Sequence, residues 1–455
     1  MDCPQVPPRR QDVNEQLRRI RDRERTAILQ SLRAGVVPRV GLQYIQVGRR
    51  AEVGAILRDL DVAKEGAASI RFVVGNFGSG KSFFLNLAST VAIEKGFLAA
   101  RADITTDRRL HGSGGQARSL YAELMRSLSS KARPDGNALP GVIERWISDV
   151  TASAPAEVQD RAKAEASIQN ALRPMQELVG GFDFATVVTK YFQGFQSGDA
   201  NLQQSAVRWL RAEYDTKTEA RHDLGVRSII NDEDIYDYLK LFAKFARIAG
   251  YSGLVVSIDE VVVLSHRLAS SRARTSNYET ILRMFNDCLQ GSVEGLILLF
   301  GATTDALEDR RRGLFSYEAL ATRLAPNEFA RDAVSDLSGP VIRLNNLTPE
   351  DLYVLLMRIR DVFASGEQSN WLIPDDGLQG YLSYCARTLG DAYFKTPRDS
   401  VTRFVGFLSL LEQDRTRDWR ALLGQADTIG VPTNASAEIA PVVPEEQDDL
   451  AHFKL

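Results

Sequence analysis

Cysteine and histidine are scarce in this chain. Three cysteines (Cys3, Cys288, Cys385) and four histidines (His111, His222, His266, His452) are scattered over 455 residues. That spacing excludes a disulfide framework and a zinc cluster. No apolar run reaches the ~18 residues of a membrane-spanning helix, and the N-terminus has no signal-type apolar segment. An excess of one charge is also missing. Lys and Arg total 56 against 59 Asp and Glu, a net charge of -3, so no global basic character points to nucleic acid, although a local basic face stays open. The simplest setting is reducing and cytoplasmic, without a membrane. Hydrophobic residues make up 44% and charged residues 25%, ordinary for a globular chain with room for two or three domains.

The most informative stretch is Gly75-Asn76-Phe77-Gly78-Ser79-Gly80-Lys81-Ser82, an ungapped G-x-x-x-x-G-K-[ST] pattern. Ile70–Val74 before it reads as a short buried strand, and Phe83 onward as an apolar helix start. Glycines let the backbone wrap an anion with its N–H groups, and the helix offers its positive end. Lys81 is the candidate for the β- and γ-phosphates of ATP, and Ser82 for Mg²⁺.

The second chemical anchor is Gly253–Glu260, an apolar strand ending in Asp259-Glu260. Its continuous apolar character suits a central parallel strand. Asp259 is the candidate metal residue with Ser82, and Glu260 the candidate base for an attacking water. Downstream of a phosphate loop, the pair points to hydrolysis. The fold class is therefore α/β, a P-loop NTPase with a parallel sheet.

Other stretches leave alternatives open. Val47, Gly48 and Arg49 precede the first strand, where a segment packs over adenine in many such proteins; a plain packing helix reads equally well. Phe97–Ala102 reads as the second strand. Asp103 at its end, with Asp107, Arg108 and Arg109, borders either the nucleotide, a subunit face or solvent. Residues 117–235 are mostly helical, an insertion that presents a partner or DNA surface; Lys190, Arg208, Arg211, Lys217 and Arg221 lie in it among acids. Ser265–Ser276, with Arg267, Arg272 and Arg274, is either a mobile loop or an anion-contacting element. Gly295–Phe300 is a third apolar strand. Beyond it, Thr303 or Thr304 either watches the γ-phosphate or caps a helix. The Arg310-Arg311-Arg312 cluster and Arg323 either reach a neighbouring subunit's phosphate, contact DNA phosphates, or sit on a solvated turn. Helices at about 350–364, 375–389 and 398–412 form a lid domain. Arg398 is the first candidate there to report the phosphates, and Arg403 the second.

Domain boundaries follow: an N-terminal helical extension over 1–44, a nucleotide-binding core over 45–345, the helical lid over 346–414, and a terminal segment over 415–455. In that last segment Leu450, Phe453 and Leu455 are candidates to dock on the body or on a partner.

Taken together, the motifs resemble the AAA+-like ATP-binding proteins of bacterial phage-exclusion (BREX) systems, of the BrxD type. The residues that carry the resemblance are Arg33–Arg39, Gln46–Arg49, the phosphate loop, Asp107–Leu110, Ser257–Glu260, Arg311–Leu314 with Ser316-Tyr317, Thr396–Arg398 and Phe453–Leu455. It runs nearly end to end. Asn76-Phe77 departs from it, since family members often carry Asp-Tyr there. The resemblance implies a defence ATPase acting beside a helicase-like partner on or near foreign DNA. More distantly, it implies kinship with origin-recognition and helicase-loader proteins that assemble side by side on double-stranded DNA. The leading expectation is an oligomerising, Mg²⁺-dependent ATPase that clamps DNA or loads a partner. The alternatives are a nucleotide-gated signalling switch or a scaffold that never touches DNA.

Overall fold

The computed structural model describes residues 20–152, 161–327, 336–390 and 397–428. Expectations for residues 1–19, Thr396 and the tail from 429 lie outside these residues.

Five parallel strands form one sheet: β1 (Ser69–Val74), β2 (Leu98–Asp103), β3 (Leu254–Asp259), β4 (Leu296–Ala302) and β5 (Val341–Arg343), in the order β2-β3-β4-β1-β5. Every residue of β3 and β4 is buried, as expected of central parallel strands covered on both faces. Side chains alternate between two cores. Ile70, Phe72, Val74, Val256, Ile258, Leu298 and Phe300 point to one. Val73, Val255, Ile297, Leu299 and Ile342 point to the other, where α3 (Arg50–Lys64) and α4 (Lys81–Glu94) pack.

Between β2 and β3 the described residues run mostly as helices, from α5 (Gln116–Ser127) to α11 (Ile235–Ile248). These helices do not form a separate body. Trp146, Phe184 and Phe245 lie in the same continuous core as the sheet; the Trp146 and Phe245 rings meet edge-on at 5.4 Å. Several cations of this stretch are engaged locally. Arg208 pairs with Glu219 at 2.9 Å and stacks over Tyr214, and Arg211 bonds to Asn137.

A third core joins helices from opposite ends of the described residues. The first helix α1 (Asp22–Arg33) packs with α15 (Pro349–Phe363), α16 (Asp375–Leu389) and α17 (Pro397–Gln413) around Ile28, Leu352, Leu356, Phe404 and Leu408. Arg25 bonds to Glu412 and the Phe363 carbonyl, Arg33 to Ser409, and Thr402 to the Leu32 carbonyl. α15 opens on a capping box between Thr348 and Asp351 with Pro349 in its first turn, the arrangement that satisfies orphan N–H groups.

Ser265–Ser276 is largely helical, broken only at Leu268–Ser270. Val263–Arg267 winds as a π-helical turn, and Ser270 caps a helix over Ser271–Leu289 (α12). The polar run misled because α12 shows only one face to the core, through Asn277, Tyr278, Ile281, Met284 and Phe285.

No helix among the described residues is long and apolar enough to cross a membrane.

Candidate phosphate-binding site

The site lies at the C-terminal ends of β1, β3 and β4. The loop after β1 turns into α4 through Gly78 (φ 80°) and Gly80 (φ 89°), left-handed positions that only glycine adopts without cost. Gly80 is the residue before the first turn of α4. The Lys81 ammonium folds back onto the carbonyls of Gly75 (3.0 Å) and Asn76 (2.8 Å). Burial lowers the Lys81 pKa, against the pull of Asp259 and Glu260. Inside the loop, the Ser79 hydroxyl is buried and has no partner among the described residues.

β3 delivers the carboxylates. Asp259 Oδ2 accepts from the Ser82 hydroxyl at 2.5 Å, and Asp259 Oδ1 from the Glu260 N–H at 2.8 Å. A side chain at Gly301 on β4 would meet Asp259 Oδ1 at 2.1 Å, so the neighbouring strand has to be bare there. Glu260 turns out of the strand with φ 60°. Burial raises its pKa first, then Asp259 and Asp103, while Lys81 and Arg267 pull it down. Asp103 pairs in register with Asp259; burial and then Asp259 raise its pKa as well.

These groups line one cavity of about 630 Å³, within the size range of small-molecule sites. Of the candidates from sequence, the structure brings to it Phe77, Gly78, Ser79, Gly80, Lys81, Ser82, Phe83, Val47, Arg49, Asp259, Glu260, Thr303 and Arg398. Gly75, Asn76, Gly48 and Thr304 are not among the lining residues. Thr304 Oγ1 donates to Asn76 Oδ1 at 3.3 Å. Thr303 does cap a helix, accepting from the Ala306 N–H, while it also lines the cavity. The Arg49 guanidinium donates to the carbonyls of Ser79 and Asn345, tying the phosphate loop to the end of β5. Arg398 Nε donates to the Gly35 carbonyl at 2.5 Å, from α17 to the residues after α1.

Arg311, Arg312 and Arg323 are exposed and outside the cavity. Arg403 is outside too, its charge felt by Tyr381 and Cys385 instead. Sequence reasoning missed the apolar side of the cavity, which Leu32, Val36, Pro38, Ile45, Leu355 and Val401 provide. Their only signal was hydrophobicity, shared with the core. It also left Asp103 and Arg267 undecided; both line the cavity.

A glycine loop at a strand end, a lysine and a Ser-Asp pair in one cavity define an α/β protein with a built anion site. The family of BREX system ATP-binding proteins BrxC/D matches residues 20–427. The chain belongs to that family, whose members bind ATP in phage defence. No curated protein shows a significant match to the chain.

Proposed function

We propose that the protein is a Mg²⁺-dependent ATPase with an AAA+-like P-loop NTPase core over 45–345 and a helical lid over 346–414. The observation that carries this is the convergence of Lys81, Ser82, Asp259 and Glu260 in one cavity. The parallel order β2-β3-β4-β1-β5 supports it, with the phosphate loop on β1 and the acids on β3. The unpartnered Ser79 hydroxyl and the glycine cradle fit a polyphosphate. Ser82 and Asp259 fit Mg²⁺, a cation that takes few protein oxygens and relies on water and phosphate for the rest; when bound it neutralises charge on the β- and γ-phosphates.

The chain's own residues divide the remaining work. Lys81 binds the phosphates. Glu260 takes a proton from the attacking water, and a raised pKa makes it a better base at neutral pH. Val47 and the apolar wall of Leu32, Val36 and Leu355 take the base. Arg398 links lid closure to the nucleotide. On this reading copies assemble side by side on double-stranded DNA, Arg311, Arg312 or Arg323 completes a neighbour's site, and a helicase-like defence protein is loaded or regulated in the cytoplasm. A second reading is a switch that gates a protein partner without DNA. The exposed Leu178 and Val179, in the turn before the helix Gly181–Ser197, and Phe182 in its first turn favour it.

ATP turnover with Mg²⁺ or chelator, with and without duplex DNA, at two stated salt concentrations tests both. Turnover is expected to require Mg²⁺, to vanish in Lys81→Ala with loss of binding, and to fall at least ~10²-fold in Glu260→Gln with binding kept. Stimulation by DNA is expected to weaken as salt rises. A monomer indifferent to DNA, whose Glu260→Gln form captures protein without nucleic acid, establishes the switch instead.

A further inference from the structure

The turn after Glu260 places a cation that the phosphate loop does not account for. Val263–Arg267 is π-helical, a winding that is rare and recurs at functional sites. It is pinned from inside by buried Val263, Leu264 and Ser265, and by Leu268 just beyond it. It is pinned from outside by His266, whose Nδ1 meets the Ser265 hydroxyl at 2.7 Å and whose Nε2 lies 3.5 Å from Asp309. Arg267 closes this fixed turn and lines the cavity with Lys81, Asp259, Glu260 and Thr303.

The arginines around it are already engaged. Arg49 and Arg398 hold backbone carbonyls. Arg274 donates to the carbonyls of Leu268 and Ala269. Arg108 pairs with Glu123 at 3.6 Å. No hydrogen bond or ion pair among the described residues takes up the Arg267 guanidinium, although its charge acts on Glu260. A cavity built for a polyanion thus contains one uncommitted guanidinium on a rigid turn, beside the acid at its hydrolytic end.

We propose that Arg267 is a further phosphate-binding residue, holding the terminal phosphate of the bound nucleoside triphosphate from within the same chain. The inference rests on the reading of this cavity as a triphosphate site. Its planar fork suits a phosphate's oxygens. Because the loop amides hold the inner phosphates of either nucleotide, while Arg267 faces only the terminal one, losing Arg267 weakens triphosphate more than diphosphate.

The test is a titration of the full chain with Mg²⁺ and two fluorescent nucleotides, a non-hydrolysable β,γ-imido ATP analogue and ADP. The native protein is compared with Arg267→Gln and Arg267→Lys. The expected result is that Arg267→Gln weakens the triphosphate analogue about 10-fold and leaves ADP unchanged, with Arg267→Lys in between. Retained ADP affinity also reports an intact cavity. An equal loss for both nucleotides, or no loss for either, overturns the role of Arg267 while leaving the site standing. Failure of the native chain to bind either nucleotide overturns the cavity reading and this inference with it.

Discussion

Glu260 is held in two unfavourable ways at once. Its φ of 60° costs a non-glycine residue about 1–2 kcal/mol, and its carboxylate faces burial and two acids, Asp259 and Asp103. Both penalties fit the proposed role of Glu260 as a base, since strained and pKa-shifted groups gather at functional sites. The electrostatic one has a sign that can be measured. A raised pKa means the folded chain holds the proton more tightly than the unfolded chain. The stability this gives is complete below the ordinary glutamate value of 4.5 and is lost as pH rises through the raised value. Glu260→Gln removes the ionised form and keeps the shape. Without nucleotide or metal, its melting temperature is therefore expected to exceed the native one at neutral pH, and the gap to close as pH falls towards 4.5. Melting curves across that range check it, and a gap that ignores pH rules out the raised pKa. The residues of this scale were the most legible in the sequence. Lys81 and Ser82 open α4 after the glycine loop, and Asp259 and Glu260 sit at the end of β3; each is fixed by the few residues around it, so local spacing carried their geometry. Arg267 was not legible, because a π-turn and an α-turn look alike in a polar string.

At the scale of elements, the sheet and its flanking helix are joined by a pair no motif announces. Arg71 on β1 makes two 2.7 Å bonds to Asp59 on α3, with both side chains almost fully enclosed. Arg71 also reaches the carbonyls of Leu337, Ser338 and Gly339, just before β5. One guanidinium thus aligns α3, β1 and β5 behind the phosphate loop. Asp59→Ala leaves that charge buried and half-paired, and is expected to cost about 3 kcal/mol. Urea unfolding of the two proteins measures it; a loss under ~1 kcal/mol indicates that Arg71 finds water instead. Such links explain what sequence hid. Strand existence followed from apolar runs such as Leu296–Phe300, but strand order depends on which runs pair. The joining of α1 to α15 and α17 pairs residues more than 300 positions apart, as in Arg25 with Glu412 and Phe363. Nothing in the pattern of either segment encodes that partner.

At the scale of the molecule, the net charge of -3 conceals an uneven surface. Among the described residues, no ion pair takes up Arg310, Arg311, Arg312 or Arg323. Nearby Glu308 is committed to Arg343, and Asp309 lies against His266 and the Arg311 N–H. The loop is held rigidly, since Tyr278 donates to the Arg312 carbonyl and a side chain at Gly313 would strike the carbonyls of Asp305, Ala306 and Asp309. A rigid arginine loop with no ion pair of its own among the described residues, outside its own cavity, suits either a neighbouring copy's phosphate or a DNA backbone. A mixing experiment separates these. An arginine acting in trans stabilises the transferring phosphoryl charge by a factor on the order of 10³ or more, so the Arg311→Ala/Arg312→Ala double variant should be inactive while binding ATP normally. Lys81→Ala is inactive for the opposite reason, having the arginines but no working site. Mixed one to one, head-to-tail contacts that place the first chain's site against the second chain's arginines make up about a quarter of all interfaces. Turnover is therefore expected to return to a comparable fraction of native in the mixture. If the mixture stays as inactive as its components while the double variant loses duplex affinity with a shallower salt dependence, the loop contacts DNA phosphates and does not complete a neighbour's site.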